Sequence, residues 1–279
     1  MASQRYSRNE ALFGAAGQAK ISEARVAIVG LGGLGSHVAQ QLAYLGVTGY
    51  VLVDFDGVTA SSMNRLVGAI AGDVAAQTKK ISVAERMITA VRTRAAIESV
   101  DGRVADAVTE AAVASADVVF GCLDRDLHRV ELTELCARHA KPYFDLASDT
   151  EGTGDELVYG GRVIFCNGSR CLVCLPEILN QDEITGDRMS PQDRETKQIL
   201  YGVDRDTLSG TGPSVVSVNG VVASLAVTEF MVYVTGLREP ASQLTYRGEK
   251  GIVRKSNDEP TPDCYYCTRL WGTGPRMSS

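Results

Sequence analysis

The chain is expected to adopt an α/β fold: a mostly parallel sheet with helices on both faces, followed by an antiparallel C-terminal portion. Three observations predict it. Residues 24–56 read as an apolar strand, a glycine turn Gly30-Leu31-Gly32-Gly33-Leu34-Gly35, a helix, and a second apolar strand ending in Asp54 and Asp56. Strand-like and helix-like stretches then alternate as far as Ala147, the pattern of a parallel sheet covered on both faces. Two Cys-x-x-Cys pairs, Cys171/Cys174 and Cys264/Cys267, stand in the C-terminal half.

In the glycine turn, Gly30, Gly32 and Gly35 let the chain turn sharply after the strand, bring backbone close to a phosphate and pack the helix on the sheet. The helix start then offers unpaired N–H groups to an anion. A strand before, a helix after and an acid about twenty residues on are the context this spacing requires. The segment is half of a Rossmann-like nucleotide-binding fold.

The remaining elements follow in order. Residues 2–24 are polar with helical spacing and carry Arg5 and Arg8. After the first two strands comes a polar connector, 57–76, then a helix over 77–91 with Ile81, Ala84, Met87 and Ile88 on one face. Residues 94–100 read as a third strand, 110–115 as a short helix, 117–122 as a fourth strand, 125–139 as an amphipathic helix and 141–147 as a fifth strand. From Leu157 the run VYGGRVIF alternates with period two, an antiparallel strand or hairpin. Residues 175–213 are polar and too long for an ordinary connection, so they read as a functional loop. Residues 215–234 form an apolar, buried helix, and 243–253 return to strand.

The 279 residues are read as one domain: an N-terminal helical arm (1–24), a nucleotide-binding half (25–150), and an antiparallel, crossover-loop and zinc-binding half (151–279). A net charge of −6 gives no broad basic field, so neither nucleic acid nor an anionic membrane is expected as a partner. The first ten residues lack an apolar h-region, and no stretch approaches the roughly 18 uninterrupted apolar residues of a membrane span. A cytoplasmic protein is expected.

Each Cys-x-x-Cys knuckle can present two thiolates, and four close a tetrahedral Zn²⁺ site with no open position for water. The competing reading is a redox pair, which needs a thioredoxin-like setting at a helix start; Cys171 instead follows the hairpin-like Asn167-Gly168-Ser169. With the pairs about ninety residues apart, zinc would clamp the C-terminal tail onto the body. Cys122 and Cys136 read as buried structure, and Cys166 as the most exposed of the other thiols. His37 reads as a surface helix residue, His128 and His139 as structural, and Trp271, Tyr265 and Tyr266 as core around the metal.

Ligands in such sheets lie at the carboxyl ends of the strands, where Asp54, Asp56 and Asp124 all fall. A dehydrogenase would use Asp54 on a ribose hydroxyl, but Arg65, Lys79 and Asp124 together suit a triphosphate and a metal: cations for the leaving phosphates and a carboxylate for Mg²⁺.

Taken together, Arg5-Tyr6-Ser7-Arg8, Gly14 to Lys20, VAIVGLGGLGS, LVDFDGV at 52–58, Asn64-Arg65, Gln77-Thr78-Lys79, Cys122-Leu123-Asp124 and both cysteine pairs resemble the ThiF, MoeB and ubiquitin-activating enzyme superfamily over nearly the whole chain. The resemblance implies an adenylyltransferase that transfers the AMP moiety of ATP to the C-terminal glycine carboxylate of a small β-grasp ubiquitin-like or sulfur-carrier protein ending in Gly-Gly, releasing pyrophosphate. It assigns the turn Gly30, Gly32, Gly33 and Gly35 to the nucleotide with Asp56 and Asn64 beside it, Asp54 to the ribose, Arg65 and Lys79 to the phosphates, and Asp124 to Mg²⁺. Arg8 would reach into the neighbouring subunit's site in a homodimer. ATP, Mg²⁺ and Zn²⁺ are the implied cofactors, and Cys171, Cys174, Cys264 and Cys267 the zinc ligands.

The chain departs from the family's pattern twice. Ser62 stands where relatives have an Asn, and no cysteine lies between Cys174 and Cys264, where many relatives carry one that takes the activated protein. The adenylate is then handed directly to an acceptor, or the acceptor cysteine belongs to a partner. The alternatives are a same-fold enzyme adenylating a peptide or tRNA-base carboxylate and a non-catalytic scaffold.

Overall fold

The computed structural model describes residues 2–151, 156–175, 178–181, 184–185, 214–256 and 259–274. Helices α1 (Ala2–Arg5) and α2 (Ser7–Glu23) precede β1 (Arg25–Val29), α3 (Gly33–Leu45) and β2 (Gly49–Val53). Then come α4 (Ala71–Ala75), α5 (Lys80–Val91), β3 (Ala96–Val100), α6 (Ala107–Ala114), β4 (Val118–Gly121), α7 (Asp126–Arg138) and β5 (Tyr143–Glu151). The described chain closes with β6 (Val158–Cys166), α8 (Val216–Thr235), β7 (Gln243–Arg247) and β8 (Ile252–Lys255).

One eight-stranded sheet has the order β3-β2-β1-β4-β5-β6-β7-β8. Strands β3 through β5 run parallel, and β6, β7 and β8 each pair antiparallel with the strand before. The strands β1, β2 and β4 are buried on both faces, which is why they read as unbroken apolar runs rather than alternating ones. One core layer joins the sheet to α3, α5 and α8 through Ile28, Leu42, Ile88, Val222 and Phe230. The other joins it to α6, α7 and the cysteine cluster through Val29, Val113, Leu132, Cys171 and Cys174. Phe120 and Phe144 stack at 5.3 Å between centroids and Phe144 on Phe165 at 4.6 Å, carrying one aromatic row across β4, β5 and β6.

Several elements differ from their sequence reading. The 57–76 connector contains a 3₁₀ turn at Ala60–Ser62 and the helix α4. Helix α5 begins at Lys80 rather than Gln77, because Gln77 takes a left-handed φ of 49° and Lys79 is extended before the first turn. Gly160-Gly161 does not turn a hairpin but sits inside the single strand β6, paired with β5 on one side and β7 on the other. The 243–253 stretch is two strands, split by a 3₁₀ turn at Gly248–Lys250 and the left-handed Gly251. Helix α8 has the length and composition of a membrane span, yet it packs along the sheet with Val222, Ala226 and Phe230 fully buried. Most of the 175–213 loop, with Pro191 and Gly210–Pro213, lies outside the described residues.

Candidate nucleotide site and cysteine cluster

The turn after β1 is held from both sides: Gly30 N–H donates to Val53 O and Cys122 N–H to Val29 O, each at 2.8 Å. Gly30 is left-handed at φ 88°, and a Cβ there would lie 2.6 Å from Cys122 O, so only glycine fits. Gly32 faces open space. Helix α3 starts there, so its first N–H groups border that opening.

Asp54 ends β2 and is 8% exposed. Its Oδ2 accepts Leu31 N–H at 2.7 Å and its Oδ1 accepts Asp56 N–H at 2.8 Å. Burial raises its pKa, opposed by the charge of Lys80 and by these two N–H groups. Each oxygen keeps a second lone pair for a ligand hydroxyl. Asp56 pairs with Lys80 Nζ at 2.7 Å. Lys80 has no part in the sequence assignment, which names its neighbour.

Arg65 and Lys79 arrive on one closed excursion. Val58 N–H donates to Thr78 O at 2.8 Å and Lys80 N–H to Asp56 O at 3.0 Å, so residues 58–78 leave and rejoin the sheet edge at one place. Lys79 Nζ donates to Phe55 O at 2.7 Å and pairs with Asp101 at 3.2 Å. Arg65 Nη1 donates to Ser61 O at 2.6 Å and to Asn64 Oδ1 at 3.0 Å, and its Cδ lies 3.3 Å from where a Cβ on Gly33 would stand. Arg65 and Asn64 are therefore beside the glycine turn. Ser62 turns inward instead, its hydroxyl bonded to Thr59 Oγ1 at 2.9 Å.

Asp124 is exposed in the turn after β4. That turn is fixed by Arg129, 5% exposed, whose guanidinium donates to Leu123 O and to Asp145 Oδ2. Tyr143 O–H fills the other oxygen of Asp145 at 2.6 Å. The buried pair Arg129–Asp145 was not singled out in the sequence; a charged residue on the inner face of α7, five positions after Asp124, is the signal that marks it. Asn219 interrupts the apolar run of 215–234 and carries no motif that marks it. It is 1% exposed, and its Nδ2 stands against Gly33.

Arg8 is exposed on α2. His37 is not a surface residue: it packs between α3 and α8, its Cε1 3.3 Å from where a Cβ on Gly220 would lie, and burial lowers its pKa. Cys166, read as exposed, is 1% exposed, because the segment before the first knuckle folds back over the end of β6. Burial pushes the thiols of Cys122, Cys136 and Cys166 up, away from thiolate chemistry.

The four knuckle cysteines converge. Their Sγ atoms all lie within 4.8 Å of one another, with Cys171–Cys174 at 3.5 Å and Cys171–Cys264 and Cys174–Cys267 at 3.6 Å. Four sulfurs at about 2.3 Å from one tetrahedral Zn²⁺ would stand about 3.8 Å apart, so the cluster fits that ion. Thr261 N–H and Oγ1 both reach Cys174 O, and Gly272 N–H donates to Ala137 O at 2.7 Å, tying the tail to the body. Trp271 packs on Gly168 in the hairpin before the first knuckle, while Tyr265 is 62% exposed.

A glycine turn with a buried acid, a cation-bearing excursion and a Cys₄ cluster that fits a zinc ion, all on one Rossmann-like sheet, define an α/β protein of the nucleotide-binding class. The chain belongs to the ThiF family, whose model matches residues 6–266. It is 31% identical to molybdopterin-synthase adenylyltransferase of Escherichia coli over 186 residues, covering 65% of this chain and 71% of that protein. It is 27% identical to the sulfur carrier protein ThiS adenylyltransferase of Escherichia coli, covering 86% and 84%. It is 24% identical to ubiquitin-like modifier-activating enzyme 5 of Dictyostelium discoideum, covering 86% of this chain but 60% of that longer protein. Among solved structures, E. coli MccB with MccA-N7isoASN shares the fold at TM-score 0.72 and 20% identity, over 96% of this chain and 75% of that one.

Proposed function

We propose that the protein adenylates the C-terminal glycine carboxylate of a small ubiquitin-like or sulfur-carrier protein, with ATP and Mg²⁺, and releases pyrophosphate. The observation that carries this reading is the convergence of Asp54, Arg65 and Lys79 on the strand ends that border the glycine turn. The names of the relatives, which act on ThiS, on molybdopterin synthase and on ubiquitin-like modifiers, support it.

In the reaction a carboxylate oxygen attacks the α-phosphorus, and the bond from that phosphorus to the bridging oxygen breaks. No side-chain nucleophile or proton transfer is needed. Asp54 holds a ribose hydroxyl, and the first N–H groups of α3 meet phosphate oxygens. Arg65 and Lys79 turn from their carbonyl partners to the β- and γ-phosphates, where negative charge grows as pyrophosphate leaves. Mg²⁺, when bound at Asp124, neutralises phosphate charge. Arg8 completes the site of the second subunit in a homodimer. The chain's own chemistry ends at the adenylate, a reading supported by the burial of Cys136 and Cys166 and by the lack of cysteine between Cys174 and Cys264.

Carrier-dependent exchange of pyrophosphate into ATP tests this. Exchange should require Mg²⁺ and disappear in Asp124→Ala with the urea midpoint unchanged. Full exchange by that variant would overturn the role given to Asp124, and absence of exchange by the wild-type protein with every carrier tried would overturn adenylation. Sedimentation as a monomer under assay conditions would remove Arg8 and the homodimer.

A further inference from the structure

Helix α8 is apolar along nearly its whole length, and an amide buried in such a helix is costly unless its hydrogen-bonding groups are used. Asn219 is 1% exposed in its first turn. Its Oδ1 accepts Ser148 Oγ–H at 2.7 Å, from the far part of β5. Its Nδ2 donates one hydrogen to Ser214 Oγ at 3.0 Å, and the carbonyl of Ser214 in turn accepts Asn64 Nδ2–H at 3.4 Å.

An amide nitrogen carries two hydrogens, and the second of Asn219 has no acceptor among the described residues. The place where that nitrogen stands is specific. A Cβ on Gly33 would collide with it, and Arg65 Cδ lies 3.3 Å from the same point. The spare N–H therefore borders the glycine turn on the side where Arg65 stands, next to the first N–H groups of α3.

We propose that Asn219 is a ligand-binding residue of this site, donating its spare Nδ2 hydrogen to an anionic oxygen seated over Gly33. The proposal rests on the adenylation reading, under which that oxygen belongs to the α-phosphate or to the carboxylate that attacks it. Ser148 and Ser214 hold the amide plane from two other elements, so the donor is pre-aimed and its alignment costs little when the ligand arrives. Ser214 also relays the position of Asn64, and with it Arg65, to the start of α8.

Asn219→Asp separates this role from a structural one. Ser148 still donates to one carboxylate oxygen, and the Ser214 hydroxyl rotates to donate to the other, so both internal contacts survive. Only the outward N–H is exchanged for a negative oxygen. Two arms are measured beside a urea midpoint and zinc content: direct titration with ATP in the absence of carrier, and the KM for carrier in pyrophosphate exchange. Loss of about tenfold or more in ATP affinity assigns the oxygen to phosphate, and a rise of about tenfold or more in carrier KM alone assigns it to the carboxylate, the scale of one hydrogen bond to a charged group. Wild-type values in both arms overturn the proposal. Should Asn219→Asp not fold, Asn219→Gln, which moves the same amide outward by one methylene, decides by the same two measurements. Wild-type behaviour of Asn219→Asp in an enzyme that exchanges pyrophosphate removes this assignment alone; absence of carrier-dependent exchange by the wild-type protein removes the adenylation reading itself.

Discussion

Arg129 Nη1 donates to Asp145 Oδ2 at 2.8 Å, and the two residues are only 5% and 0% exposed. Through its other Nη the same guanidinium holds the carbonyl of Leu123, so a buried ion pair fixes the turn that presents Asp124 to solvent. Removing one member leaves a charge buried without its counterpart, which costs more than the pair itself contributes. Arg129→Met should destabilise the protein by about 3–5 kcal/mol in urea denaturation. The double change Arg129→Met with Asp145→Leu should recover much of that loss. A single variant within about 0.5 kcal/mol of wild type, the ordinary range for a change at the surface, would contradict the buried-pair account.

Asp54 joins the glycine turn to the end of β2 through two backbone N–H groups. Asp54→Ala removes both acceptors along with the proposed ribose contact, and ATP affinity measured by titration should fall by about tenfold or more. Equal affinity would show that the nucleotide does not use this carboxylate.

The cysteine cluster should hold about one zinc per chain, the stoichiometry of a Cys₄ site. Chelation should expose the chain near 259–264 to protease, because Thr261 is tied to the body through the carbonyl of Cys174, in the first knuckle. Cys264→Ser with undiminished zinc content would contradict the clamp.

Asp73 accepts two hydrogen bonds from Arg86, at 2.9 and 2.6 Å, and one from Ile70 N–H at 2.8 Å. The Arg86 hydrogen bonds, followed by that of Ile70, hold its carboxyl at about 2, below the ordinary 3.8. A carboxylate whose folded pKa is depressed stabilises the fold in full above its unfolded pKa, and that share is lost as pH falls through the folded value. Urea midpoints should therefore decline between about pH 4 and pH 2 more in the wild type than in Asp73→Asn. Parallel declines would rule the pair out as a source of acid sensitivity.

The parts of this molecule legible in the sequence are those specified locally. The strands β1, β2 and β4 are buried on both faces, so their apolar runs needed no partner to be recognised. The glycine turn is legible because Gly30 alone tolerates both its φ and the closeness of Cys122 O. What was not legible depends on contacts between distant segments. The order in 57–76 comes from the Gly57–Lys79 bridge and from Val67 N–H donating to Ser36 Oγ on α3 at 3.1 Å. Cys166 is covered by residues that follow it, and His37 by a helix nearly two hundred positions later. Asn219 carries no local signal, because its neighbours Ser148 and Gly33 stand on two other elements.

The excursion from Val58 to Thr78 meets the sheet edge at one bridge and returns beside its own point of departure. Its interior is pinned to the two helices beside it, through Val67 N–H to Ser36 Oγ on α3 and through Asp73 to Arg86 on α5. The stretch that carries Asn64 and Arg65 is thus a braced arch: the helix that starts at the glycine turn and the helix that follows Lys79 together fix where its side chains stand.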